Sequence, residues 1–436
     1  MFYFITIYFI IFTLITWRNL PTAMAIVIAL LPTYLIRFHI WVFPSTLLEG
    51  MVLIVIAVWF VQFGFKKVYK RYKHEIIYKP FPFQAQIILI MITATISILI
   101  APNIWKALGL WRAYFLEPIL FFLIFIQVVK TRKNLQKILY ALGISALGIS
   151  LFAIYQKITG NFIPVAMWQP EETRRVTSFY TSPNAVGLYL GPIVMIYLGW
   201  LFDSKKILST FWKILILISS LLAIIFTVSE GTWAGLIVAL IFFIVMFFQK
   251  NIQGIKKSTL IIIFILLIAI GSALFYQPVI KNKVDQIIST PSAQNRITLW
   301  QGALNFLTQN PKNFLFGSGI YGFNEIQEKF RDPLKLEPLI YPHNIFLNFW
   351  MEIGLVGMIT FVWLIISFLK KIYNTNTQIY INKMLNIGLV SAIITIIIHG
   401  LIDVPYFKND LAMLFWIILG ISITLNYYET KESIEK

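Results

Sequence analysis

Long apolar runs separated by short polar breaks dominate the chain. They cover Phe2 to Thr16, Leu20 to Ile36, Thr46 to Gly64, Phe83 to Ala101, Phe115 to Val129, Leu135 to Tyr155, Ala185 to Phe202, Phe211 to Val228, Thr232 to Phe248, Thr259 to Tyr276, Ile345 to Leu369, Met384 to Leu401 and Leu411 to Tyr427. Most approach the roughly 20 residues that cross about 30 Å of hydrocarbon as a helix. The pattern predicts an all-α polytopic membrane protein with 12 or 13 transmembrane helices. Phe2 to Thr16 reads as a span rather than a cleaved signal, because no basic segment precedes it and Trp17-Arg18, not a small-residue cleavage site, follows.

The polar breaks differ in charge. Lys and Arg gather in alternate loops: Lys66 to Lys79, Lys130 to Lys133, Lys205-Lys206, Lys250 to Lys257, and Lys370-Lys371 with Lys383. Basic loops stay in the cytoplasm, so that side is assigned inward. The opposite short breaks are much poorer, holding Arg37, Lys106, Arg112 and Lys408, which turns two longer segments outward, Gln156 to Asn184 and Gln277 to Asn344. The second is long enough to have its own structure or function. After Ser292, Ile297, Trp300, Leu304 and Leu307 recur at helical spacing until Asn310-Pro311, predicting an amphipathic cap helix at the outer interface. One membrane domain over 1–436 with a cap at 277–344 is the expected organisation.

Composition agrees: of 436 residues, 59% are apolar and 12% charged, about half the charged fraction of a soluble domain. The formal charge of +18 is dispersed among inter-span loops rather than concentrated on one face, so no nucleic-acid partner is expected. The chain has no cysteine, hence no disulfide framework and no thiol nucleophile. Its five aspartates include no Asp-x-Asp pair, and there is no phosphate loop, zinc helix or nucleophile elbow, so the expected chemistry needs neither metal nor cofactor.

Cations and one imidazole remain on the outward side. Arg174 and Arg175 precede a helix opened by Pro183-Asn184, where guanidinium groups and free amides suit a diphosphate, or lipid headgroups. Arg296 lies four residues before Trp300, a spacing that serves a cation–π pair as well as a ligand. His343, between Pro342 and Asn344 at the mouth of a span, suits proton transfer from a sugar hydroxyl, or a helix cap. His399 lies inside a span, which makes it a site candidate, while His39 and His74 lie in loops. Acidic groups at span edges need partners: Glu117 has Arg112 nearby, and Glu352 lies about two and a half turns below His343.

In order and spacing, these motifs resemble the O-antigen ligase and polymerase superfamily of bacterial envelope glycosyltransferases. The residues carrying the resemblance are Arg175-Val-Thr-Ser-Phe179 with Pro183-Asn184, Arg296 with Trp300, Gly317-Ser-Gly319 with Gly322-Phe323, His343-Asn344 with Leu347, and Gly354-Leu-Val-Gly357. Pro44 to Glu49, Leu116-Glu117-Pro118 and His399 to Asp403 add to it. It is strongest over 175–357. The resemblance implies an inverting glycosyltransferase, without metal or cofactor, in the bacterial cytoplasmic (inner) membrane with its site on the extracytoplasmic side. The donor would be an undecaprenyl-diphosphate-linked glycan and the acceptor a glycan, lipid or protein, a lipid A core for a ligase or a carrier-linked repeat for a polymerase. By the same resemblance Arg175 and Arg296 would engage the diphosphate and His343 would activate the acceptor, and the adjacent Arg174 is a further candidate for the diphosphate. Asn344, Asn184, Trp300, Glu117, Glu352 and His399 would support them. Glu230 departs from the arginine usual in that Ser-x-Gly turn. A transporter or a flippase of lipid-linked oligosaccharide has similar size, but such folds show matched halves, whereas polar chemistry gathers here in one outward segment.

Overall fold

The computed structural model describes residues 2–40, 43–64, 81–202, 207–251, 291–327, 340–374 and 380–434. The predicted span Thr259 to Tyr276, the Lys66 to Lys79 and Lys205-Lys206 clusters, Lys256-Lys257 and His74 lie outside them. The described helices are α1 (Phe2–Arg18), α2 (Leu20–Ala29), α3 (Leu47–Gly64), α4 (Gln84–Ile100), α5 (Ile104–Val128), α6 (Arg132–Thr159), α7 (Pro183–Leu201), α8 (Ile207–Thr227) and α9 (Glu230–Asn251). There follow α10 (Pro291–Thr308), α11 (Pro311–Phe316), α12 (Phe323–Ile326), α13 (Ile345–Asn374), α14 (Tyr380–Gly400) and α15 (Asn409–Ile434). Eight of these helices are long and apolar enough to cross a bilayer and four shorter apolar ones accompany them, giving a multi-pass membrane protein. Every predicted run within the described residues contains one of them.

Three runs depart from the predicted pattern. The run from Leu20 is helical only to Ala29, because Pro32 has no amide to continue it. The chain instead forms an antiparallel pair, β1 (Arg37–Ile40) with β2 (Phe43–Thr46), which apolar runs in an all-helical reading do not reveal. Helix α5 begins at Ile104, eleven residues before the predicted Phe115, and carries a π-turn over Arg112–Leu116. Cap helix α10 buries Leu299, Ala303 and Leu307 and exposes Leu304, so the stripe is rotated from the predicted one. As expected, Asn310-Pro311 ends it, with Asn310 capping α11.

The core is one continuous apolar cluster in which α7 is buried on nearly all sides among α6, α8, α9 and α14. Several of its polar groups are paired internally: Ser145 with Tyr189 at 2.7 Å, and the Tyr197 hydroxyl donating to the Leu139 carbonyl at 2.7 Å. A bilayer interior offers no water to satisfy such groups, so each must find a protein partner. The ends of α6, α8 and α14 and the starts of α7, α9, α13 and α15 meet on one side of the bundle. That is the side the basic loops assign outward.

Candidate active site

The segment 168–182 returns from α6 to α7 across the end of α8. The Arg175 amide bonds the Trp168 carbonyl and the Val176 amide bonds the Phe226 carbonyl, which fixes the backbone around Arg175. The Arg175 guanidinium donates Nε to the Thr227 carbonyl at 2.8 Å and Nη2 to the Val228 carbonyl at 3.1 Å, and lies over the Trp168 ring. Val228 takes φ 51°, a left-handed backbone that a β-branched residue rarely adopts, and it links α8 to α9. That tight joint aims two carbonyls at Arg175 and holds its fork with no carboxylate bonded to it among the described residues. Burial lowers the affinity of Arg175 for its proton; Glu230, at the start of α9, opposes this, and the charge of Arg296 adds to it.

The charge of Arg296, near the start of α10, acts on both Arg175 and His399. Arg174 does not join this group. Its guanidinium donates to the carbonyls of Lys157 at 2.8 Å and Gln169 at 2.9 Å, closing the end of α6, where unpaired carbonyls attract a cation. Trp300 is half-buried one turn after Arg296.

His343 closes the far side. It has φ 50°, left-handed and strained for a side chain of its size, and lies two residues before α13. Asn344 caps that helix, its Oδ1 accepting the amides of Phe346 and Leu347 at 3.1 and 3.0 Å while its Nδ2 donates to the Leu401 carbonyl at 3.0 Å. His343 Nδ1 lies 3.3 Å from Asp403 Oδ1, with His343 23% and Asp403 10% exposed in their side chains. Asn184, opening α7, donates Nδ2 to Asp403 Oδ2 at 3.2 Å, and the Val404 amide donates to Oδ1 at 2.8 Å. His399 Nε2 is 4.0 Å from Oδ2. Burial would push the Asp403 carboxyl up, but the facing His343, with His399 and the Val404 amide, holds it well below the usual carboxylate range.

Asp403 was legible only as part of the His399 to Asp403 motif and not as a site residue; its loop position carries no local signal. The loop bearing it is held at several further points. Tyr341 donates to the Phe407 carbonyl at 3.0 Å, Asn409 to Glu49 at 3.1 Å, and Tyr180 to Asp410 at 2.8 Å. Close packing adjusts the His399 ring, because a Cβ on Gly231 would stand 2.6 Å from its Cδ2.

Glu117 belongs to a different cluster. Arg112 lies between two buried carboxylates, Nη2 at 2.8 Å from Glu49 and Nε at 3.1 Å from Glu117, in line with the pairing expected from sequence. Glu352 faces neither arginine directly; its Oε2 accepts the Tyr321 amide at 2.8 Å. The structure thus brings His343, Asp403, Asn184 and His399 together, with the charge of Arg296 acting on both His399 and Arg175, and ties Arg174, Glu117 and Glu352 to other partners.

Comparison with known proteins converges on one family. Residues 214–362, which include Arg296 and His343, match the family model described as O-antigen ligase. A protein of Rickettsia felis named "Putative polysaccharide ligase" is 31% identical over 133 residues, covering 27% of this chain and 31% of that protein. Its Rickettsia conorii counterpart is 30% identical over the same shares. An uncharacterized Haemophilus influenzae protein is 26% identical over 285 residues, 59% of this chain and 66% of that one. The alignments to the Rickettsia ligases thus span under a third of their length. The stretch 214–362 is thus similar to the O-antigen ligase family, and the multi-pass helical fold around it is consistent with that similarity.

Proposed function

We propose that the chain transfers a glycan from an undecaprenyl-diphosphate carrier to a hydroxyl or amine of an acceptor on the outer side of the cytoplasmic membrane. What supports the reading is the His343–Asp403 pair at the same end of the bundle as Arg175, with the charge of Arg296 acting on both Arg175 and His399. The carboxylate favours the imidazole tautomer with its proton on Nδ1, which leaves Nε2 to take a proton from the acceptor. As that proton moves to Nε2, the acceptor oxygen or nitrogen bonds to the anomeric carbon and the bond from that carbon to the diphosphate oxygen breaks. The electron pair leaves with the carrier diphosphate. Arg175, already aimed by two carbonyls, and Arg296 stabilise the charge that develops there, an interaction strongest in the transition state. Attack opposite the leaving group inverts the anomeric configuration, and the charge is met by side chains rather than by a metal ion.

Purified protein with carrier-linked glycan tests the reading. His343→Ala is expected to abolish transfer while donor binding persists, and near-wild-type turnover would overturn the base assignment. Sidedness is checked separately: a cysteine introduced at the exposed Gln309 of this cysteine-free chain should react with a membrane-impermeant maleimide on intact cells. Protection until lysis would put the site on the wrong side.

A further inference from the structure

Helix α13 is broken below His343. Ile353 (φ −128°, ψ 15°) and Gly354 (φ 79°, ψ 173°) leave helical geometry, so Ile345 to Glu352 form a separate two-turn segment. A break at such a place frees backbone groups that other protein must satisfy. The turn over 317–322 does so: Ser318 donates its amide and its hydroxyl to the Met351 carbonyl, at 2.7 and 3.0 Å. The fit excludes side chains, since a Cβ on Gly317 would lie 2.3 Å from the Met351 carbonyl oxygen and one on Gly354 2.5 Å from that of Leu315.

Glu352 is the last residue before the break and is 1% exposed. Its Oε2 accepts the amide of Tyr321, itself held at a left-handed φ of 68°. The cap stands on the same joint, because Leu299, Ala303 and Leu307 of α10 pack on Phe323 and Met351. Arg296 lies one turn before Leu299. A buried carboxylate is a costly way to join two segments, and an apolar side chain of similar size packs at lower cost, so stability alone does not account for it.

We propose that Glu352 is a positioning residue: by latching the Tyr321 amide to the break in α13 it sets the stance of the cap helix and thereby the placement of Arg296 against Arg175 and His399. The role rests on Arg296 serving the donor diphosphate, but the latch itself is a matter of geometry and is tested apart from turnover. The absence of cysteine allows nitroxide labels at Gln301→Cys on α10 and Thr181→Cys on the Arg175 segment, both exposed, with the distance read by pulsed electron resonance. Full-length protein should give one narrow distance. Glu352→Ala should broaden or shift it, and Glu352→Gln, which keeps an acceptor oxygen, should restore it; if the alanine variant does not fold, Glu352→Leu fills the space without an acceptor. In transfer assays the same alanine or leucine variant should lose on the order of 10²-fold in kcat/KM, the scale of a misplacement of about 1 Å. Adding Arg296→Ala to it should cost little more, whereas adding Arg175→Ala should cost its full amount. An unchanged distance in the folded alanine or leucine variant, or full additivity with Arg296→Ala, overturns the latch. Absence of glycan transfer in the unmutated protein would instead sink the functional reading and leave the distance measurement to decide the latch.

Discussion

Asp403→Asn removes one charge from the site and little else. The variant amide can keep its oxygen toward His343 and the Val404 amide, and Asn184 can turn its own amide to meet the new NH2, so packing is preserved. What is lost is the attraction between the carboxylate and the imidazolium that forms when His343 takes the acceptor proton. At the 3.3 Å separation, that attraction is about 5 kcal/mol at an effective dielectric constant of about 20 and about 1.3 kcal/mol in bulk water. With the His343 side chain 23% exposed and Asp403 10%, the site lies between these limits. Each 1.36 kcal/mol is about tenfold in rate, so the midpoint corresponds to a fall on the order of 10² in kcat. The donor KM should hardly move, because Arg175 and Arg296 are untouched. The assay is transfer from carrier-linked glycan in detergent or nanodiscs, with donor binding measured separately and thermal unfolding as the control for folding. A folded variant with kcat within about threefold of wild type, or a loss confined to KM, would refute the pairing as a catalytic device.

Three further outcomes are expected. Arg112→Ala leaves Glu49 and Glu117 buried and facing without their cation, so stability should fall by about 3–5 kcal/mol in denaturant or thermal unfolding; an unchanged midpoint would show that the cluster is not held by charge. Gly231→Val drives side-chain atoms into the His399 ring, so transfer should fall together with a packing loss of about 1–3 kcal/mol, and a variant as stable and active as wild type would mean α9 does not press on that ring. The folded state holds the Asp403 carboxyl below its unfolded value, so its contribution to stability is complete above about pH 4 and fades as pH falls further. The difference in unfolding midpoint between wild type and Asp403→Asn should therefore shrink as the pH falls below about 4; a difference unchanged down to about pH 2 would contradict the depressed carboxyl.

Much of this protein is legible in one dimension. Inside a bilayer every backbone group must be satisfied within its own helix, so spans announce themselves as unbroken apolar runs, and α3, α6, α7, α8 and α14 lie where those runs do. Arg175, Arg296 and His343 could be named as candidates from the sequence because each has a motif around it, and their roles are those proposed above. Tertiary structure alone decided the rest. The rotation of α10 follows from Phe323 and Met351, which a helical period does not contain. The break at Ile353-Gly354 has meaning only because the turn over 317–322 fills it. Arg174, next to Arg175 in sequence, is turned to the end of α6 by carbonyls that were not identifiable as its partners beforehand. Asp403, sixty residues beyond His343, becomes its partner only when Asn344 ties the start of α13 to the end of α14. Local polarity determines which segments cross the membrane; which side chains meet at their ends depends on helix rotations and cap placement set by packing between distant segments.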